Sequence, residues 1–161
     1  MSFFSRTHDR IIRKFIVHDV DFVLVGGHAS IIHGVRRTTS DLDILVRPTL
    51  QNGERILKAF NGLQLDVSDI AAEDFTKEQV FSFGMEPDGV DILNFSKGVL
   101  LDEIFSNAIL KKIDDLKFRI IDIRDLIKNK ESLSRTTEKG LVDQQDILAL
   151  KQILKSQNDV E

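Results

Sequence analysis

Asp41 and Asp43 are separated by one residue and followed by the apolar run Ile44-Leu45-Val46. Side chains alternate along an extended chain, so a strand over residues 37–46 would project Arg37, Thr39, Asp41 and Asp43 from one face. The two carboxylates would stand roughly 7 Å apart at their backbones. Ionised together they repel, and a cation must compensate. Oxygen donors suit a hard divalent ion, and Mg²⁺ is commonly held by one or two carboxylates plus substrate phosphates. A pair of such ions about 3.5–4 Å apart serves both the attacking and the leaving oxygen in phosphoryl displacement. Upstream, Gly26-Gly27 ends the apolar run Phe22–Val25 and precedes a short helical segment, His28–His33. Glycines let a ligand approach the backbone, and the free N–H groups of a helix start attract anions. One short segment therefore combines a phosphate cradle, a metal-binding carboxylate pair and a cation. Arg37 has two roles open to it: a phosphate contact, or an ion pair with the aspartates.

The surrounding elements follow from periodicity. Residues 3–18 read as an amphipathic helix with Phe4, Ile11, Ile12, Phe15 and Ile16 on one face. Phe22–Val25 reads as a buried strand, and Gly34 closes the helix after it. Pro48 opens a helix over about 49–60. Strands are expected at 63–67, at 80–83 and at 90–95, the last two around the turn Glu86-Pro87-Asp88-Gly89. A helix follows at 101–110, a last strand at 118–121, and a helix capped by Asp122 running to about Lys130. The polar stretch 131–139 reads as a loop, and a C-terminal helix occupies about 138–156 with a frayed tail. His28 and His33 are five apart, a spacing that does not put both on one helix face, so they read as packing or hydrogen-bonding residues rather than metal ligands.

The pattern G-G-H-A-x-x-x-H-G-x-x-R-x-T-x-D-x-D, from Gly26 to Asp43, resembles the signature of nucleotidyltransferases of the DNA polymerase beta superfamily. The likeness is nearest to the small stand-alone forms and the AbiEii-like toxin branch. It implies a single α/β domain over residues 1–161, with a small mixed β-sheet and helices packed on one face. It also implies Mg²⁺ or Mn²⁺ held by Asp41, Asp43 and a third carboxylate, Asp91, which would accept the proton of an attacking hydroxyl. Asp91 is flanked by apolar residues, where a bare carboxylate would be costly without a cation. The nucleotide would be bound by Gly26, Gly27, His28, Arg37, Thr39, Ser40 and Lys128. Many members carry Gly-Ser where this chain has Gly26-Gly27, so that phosphate contact falls to His28, Ser30 or backbone N–H. The stretch Asp125–Lys130, with Arg135 and Asp143-Gln144-Gln145-Asp146, resembles the part of the branch where a lysine and a C-terminal helix border the nucleotide.

Composition narrows the remaining choices. The chain has 161 residues, 42% hydrophobic and 30% charged, enough for one core. It has no cysteine, which removes disulfides and zinc–thiolate sites and agrees with a cytoplasmic setting. No apolar run is long enough to cross a bilayer. A net charge of −4 lowers the expectation of long-duplex binding. The expected activity is transfer of a nucleotide from a nucleoside triphosphate to a hydroxyl on an RNA end such as tRNA, on a protein or on a small molecule. The alternative is a toxin–antitoxin component that acts mainly by binding its cognate partner.

Overall fold

A computed structural model of the protein describes residues 2–133 and 135–160. The first helix, α1 (Arg6–Val17), starts where the Ser5 side chain accepts a hydrogen bond from the His8 amide. Its buried stripe is His8, Ile11, Ile12 and Phe15, the spacing of one helix face. Then follow β1 (Phe22–Val25), α2 (Gly26–His33), β2 (Leu42–Val46) and α3 (Leu50–Phe60), the last capped by Thr49. A 3₁₀ turn at Ala72–Thr76 leads into β3 (Val80–Phe83) and β4 (Val90–Leu93). The chain continues through α4 (Leu101–Asn107), the hairpin β5 (Ile109–Ile113) and β6 (Leu116–Ile120), then α5 (Ile123–Leu133) and α6 (Glu138–Val160).

The strands form one mixed sheet in the order β3-β4-β2-β1-β6-β5. Pairs β1/β2, β3/β4 and β5/β6 are antiparallel, while β2/β4 and β1/β6 are parallel. The mixed α/β class is as the sequence implies, but the helices divide between both faces of the sheet. Phe22, Leu24, Ile44 and Ile92 face one core with α1 and α3. Val23, Leu45 and Leu93 face a second core with residues of α2, α4, α5 and α6. One-sided packing fails because the central strands are apolar on both faces, and each face must be covered.

Several elements differ from expectation. The strand expected over 37–46 begins only at Leu42. Its neighbour β1 turns into α2 after Val25, opposite Asp43, and β4 starts opposite Leu42, so residues 37–41 have no ladder to join. Arg37 and Thr39 therefore sit on a loop. No strand forms at 63–67; Leu63, Leu65 and Val67 pack against the first core from an irregular segment. The helix expected over 101–110 stops at Asn107, and Ile109–Ile113 becomes the edge strand. Strand β4 ends at Leu93, and β6 spans 116–120 rather than 118–121. The C-terminal helix runs to Val160, past the expected frayed tail. Of the loop expected at 131–139, residue 134 lies outside the described residues.

Asn94, just past β4, is buried and fully used. Its side-chain oxygen accepts from the Gln79 amide at 2.8 Å, and its nitrogen donates to the carbonyls of Phe75 and Lys77. It thereby ties the 3₁₀ turn and the start of β3 to the strand that carries Asp91. Replacing Asn94 with Leu should lower unfolding free energy by about 2–4 kcal/mol, because one buried and two part-buried backbone groups lose their partner. Urea denaturation would measure it.

Candidate active site

Asp43 and Asp91 are Cα partners on the parallel strands β2 and β4. Paired residues project from the same face, so both carboxylates leave the sheet on the side of the second core. Asp41 directly precedes β2. Asp43 keeps some solvent contact, yet burial, followed by the charges of Asp91 and Asp41, pushes its pKa up from 3.8 to about 7. The Oδ1 atom of Asp41 is buried without a hydrogen-bond partner. Asp91 accepts from the Ser82 hydroxyl at 2.7 Å. Among the described residues, no three carboxylate or imidazole side chains are already drawn together as a metal shell. The donors nevertheless fit a hard divalent cation. They are oxygens, their mutual repulsion calls for positive charge, and one is a buried oxygen with nothing to bind.

The start of α2 closes against this group. Gly26 has φ +68°, and a Cβ there would collide with the Asp43 carboxylate. At Gly27, an added Cβ would lie 2.5 Å from Thr39 Oγ1 and 2.9 Å from Arg37 Nη2. The loop expected to be a strand thus lays Thr39 and the Arg37 guanidinium over the first turn of the helix. The N-cap, Val25, offers no side-chain hydrogen bond, so the first-turn amides have no capping partner.

Arg37 is held in place by Asp146 of α6. Its Nε donates to Oδ1 at 2.8 Å and its Nη2 to Oδ2 at 2.9 Å, a bidentate pair. Lys130 Nζ lies 3.1 Å from Asp146 and 3.3 Å from Asp143, and Arg135 grips Asp143 through two bonds. Lys130, Asp143 and Asp146 are all buried. The network sets three cations against two carboxylates, leaving one excess positive charge. Lys130 and Lys139 also offset part of the upward push on Asp43.

Of the nucleotide-binding residues expected from sequence, Gly26, Gly27, Arg37 and Thr39 are brought together beside Asp41, Asp43 and Asp91. Ser40 is half-buried next to Asp41. Lys128 is exposed on α5, and the buried cation of that helix is Lys130, two residues on and on the inward face. His28 is buried against Phe3, Phe4 and His8, with no partner for its Nδ1. Burial, then the charge of His8, brings its pKa down to about 4, so the ring is neutral at pH 7. The Ser30 hydroxyl is turned back to the Gly26 carbonyl at 3.2 Å. Neither His28 nor Ser30 is therefore disposed to replace the missing serine of Gly-Ser. His33 bonds the Ile121 carbonyl and ties α2 to the end of β6. Sequence reasoning missed Gly89, which borders Asp41, and His8, which bonds the Gly89 carbonyl; the signal for His8 was its place on the buried stripe of α1.

No family model matches the chain, and no curated protein matches it by sequence. Solved structures do. The lincomycin-bound lincosamide antibiotic adenylyltransferase LnuA superposes with a TM-score of 0.62 at 16% identity, covering 95% of this chain and 99% of that one. A Thermotoga maritima protein assigned as a nucleotidyltransferase superposes with a TM-score of 0.53 at 12% identity, covering 96% of this chain and 92% of that one. At such identities the likeness is one of fold, and the fold is that of nucleotidyltransferases.

Two stability outcomes follow. The Asp43 pKa is raised on folding, so its contribution to stability is present below about pH 4 and is lost as pH rises through about 7. In metal-free protein, Asp43→Asn should raise the melting temperature at pH 8 and leave it nearly unchanged at pH 4, as thermal unfolding in chelator would read. Asp146→Ala removes the only carboxylate partner of Arg37 among the described residues and leaves Lys130 with Asp143 alone, and should cost about 3–5 kcal/mol by urea denaturation.

Proposed function

We propose that the protein transfers a nucleotide from a nucleoside triphosphate to a hydroxyl acceptor and releases pyrophosphate. The observation that carries this reading is the pairing of Asp43 with Asp91 on adjacent parallel strands, beside Asp41 and under the glycine start of α2. Asp41, Asp43 and Asp91 would hold Mg²⁺ or Mn²⁺, which when bound supplies charge neutralisation at the phosphate oxygens. Arg37 and the first-turn amides of α2 would receive the triphosphate, with Thr39 beside them. The acceptor oxygen forms a bond to the α-phosphorus, the bond to pyrophosphate breaks, and Asp91 takes the hydroxyl proton. The protein's own contribution is orientation and fixed charge.

LnuA is an adenylyltransferase for lincosamide antibiotics, so ATP is the first donor to try, and small-molecule hydroxyls join RNA ends and proteins as acceptors. A cognate toxin or antitoxin partner remains the alternative role, and co-purification would reveal it. No helix among the described residues is long and apolar enough to cross a membrane.

The purified chain should be incubated with Mg²⁺ and each α-labelled nucleoside triphosphate, with host RNA, host protein and small hydroxyl compounds supplied separately. Label should appear in one fraction and fall by at least about 10³-fold in the Asp41→Asn/Asp43→Asn double variant, in keeping with electrostatic stabilisation as the main catalytic contribution. Undiminished labelling by the double variant would refute the assignment.

A further inference from the structure

Asp41 lies in the loop just before β2, where it has no ladder partner of its own, yet one oxygen of its carboxylate is sealed from solvent. Against it lies Gly89, the residue before β4. A Cβ on Gly89 would stand 2.6 Å from Asp41 Oδ1 and 3.2 Å from its carboxyl carbon. The φ of Gly89 lies outside the left-handed region, so its backbone is open to other residues. Only the space taken by the carboxylate demands a glycine.

The carbonyl of Gly89 is itself fixed twice. It accepts from the Leu42 amide at 2.9 Å, which ties it to the residue directly after Asp41. It also lies 3.0 Å from Nε2 of His8, in a buried contact that joins α1 to the start of β4. A carbonyl only accepts, so Nε2–H of His8 is the donor. His8 is the polar member of the otherwise apolar stripe of α1 and is 2% exposed. Its ring meets His28 edge to face at 5.4 Å, and His28 is wedged in turn against Phe4. The imidazole is thus packed against His28 and donates from Nε2 to the Gly89 carbonyl.

We propose that His8 and Gly89 are positioning residues for Asp41: His8 anchors the Gly89 carbonyl, and the bare Cα of Gly89 leaves the space that aims the Asp41 carboxylate at a divalent cation. This inference rests on the proposed function, which makes Asp41 a metal-binding residue. Supporting partners of this kind commonly change metal affinity 10–100-fold without touching the ion.

The test is Mn²⁺ binding to the whole chain without nucleotide, followed by the electron paramagnetic resonance of free Mn²⁺. Gly89→Ala, His8→Phe and His8→Gln are compared with wild type, and Asp41→Asn is the reference for a lost ligand. Gly89→Ala should weaken Mn²⁺ binding roughly ten-fold while the melting temperature of the metal-free protein stays near wild type, because the clash is with the free end of a side chain. His8→Phe should weaken it similarly, and His8→Gln should restore it, since the amide can donate to the same carbonyl. Wild-type affinity in both Gly89→Ala and His8→Phe would overturn the inference and leave the proposed function standing. A glutamine variant as weak as His8→Phe would overturn the role of His8. If His8→Phe does not fold, Gly89→Ala decides. If wild type binds no more Mn²⁺ than Asp41→Asn, the proposed function falls and this inference falls with it.

Discussion

Parallel pairing of β2 with β4 sets two aspartates side by side with the spacing of neighbouring strands, and a third precedes the same strand. Carboxylates so placed repel one another, and burial raises the cost of their charge. Much of the surrounding structure can be understood as a response to that constraint. Backbone without side chains approaches the carboxylates at Gly26 and Gly89. Cations approach from α5 and α6 rather than from the strands themselves. The sheet supplies the positions, and the second layer of helices supplies the opposing charge.

That division of labour explains why helices are needed on both faces. On one side, α1 and α3 complete an apolar core and, through His8, reach the edge of the carboxylate group. On the other, α5 and α6 carry Lys130, Asp143 and Asp146, whose burial is tolerable only because each charge has a partner. Arg37 belongs to neither layer. It is a loop cation suspended between the start of α2 and the carboxylate of a helix far along the chain. Its guanidinium is oriented by two parallel bonds, which a lysine at the same place would not provide.

The parts legible in sequence were those set by short-range pattern. The apolar run Phe22–Val25, the glycine pair and the close spacing of Asp41 and Asp43 each announce themselves within a few residues. Ile109–Ile113 was obscured because its two lysines and flanking acids suit a helix as well as a strand, and only pairing with β6 decides between them. The choice of Lys128 over Lys130 turns on helical phase, which buried contacts with α6 fix and spacing alone does not. The Arg37–Asp146 pair spans most of the chain, and no local pattern reports it. His8 was visible as an odd polar residue on an apolar stripe, but its acceptor is the backbone of Gly89, which residue identity cannot reveal.

The length of chain between Arg37 and Asp146 also bears on the order of assembly during synthesis. The ribosome releases the strands and the glycine turn long before α6. Until residues 143–146 emerge, Arg37 and Lys130 lack the carboxylate partners they hold in the folded chain. The early segments can pack their apolar faces as they appear. The pairs of Arg37 and Lys130 with Asp143 and Asp146 must wait for α6, so the buried charged network is among the last parts of the chain to be completed.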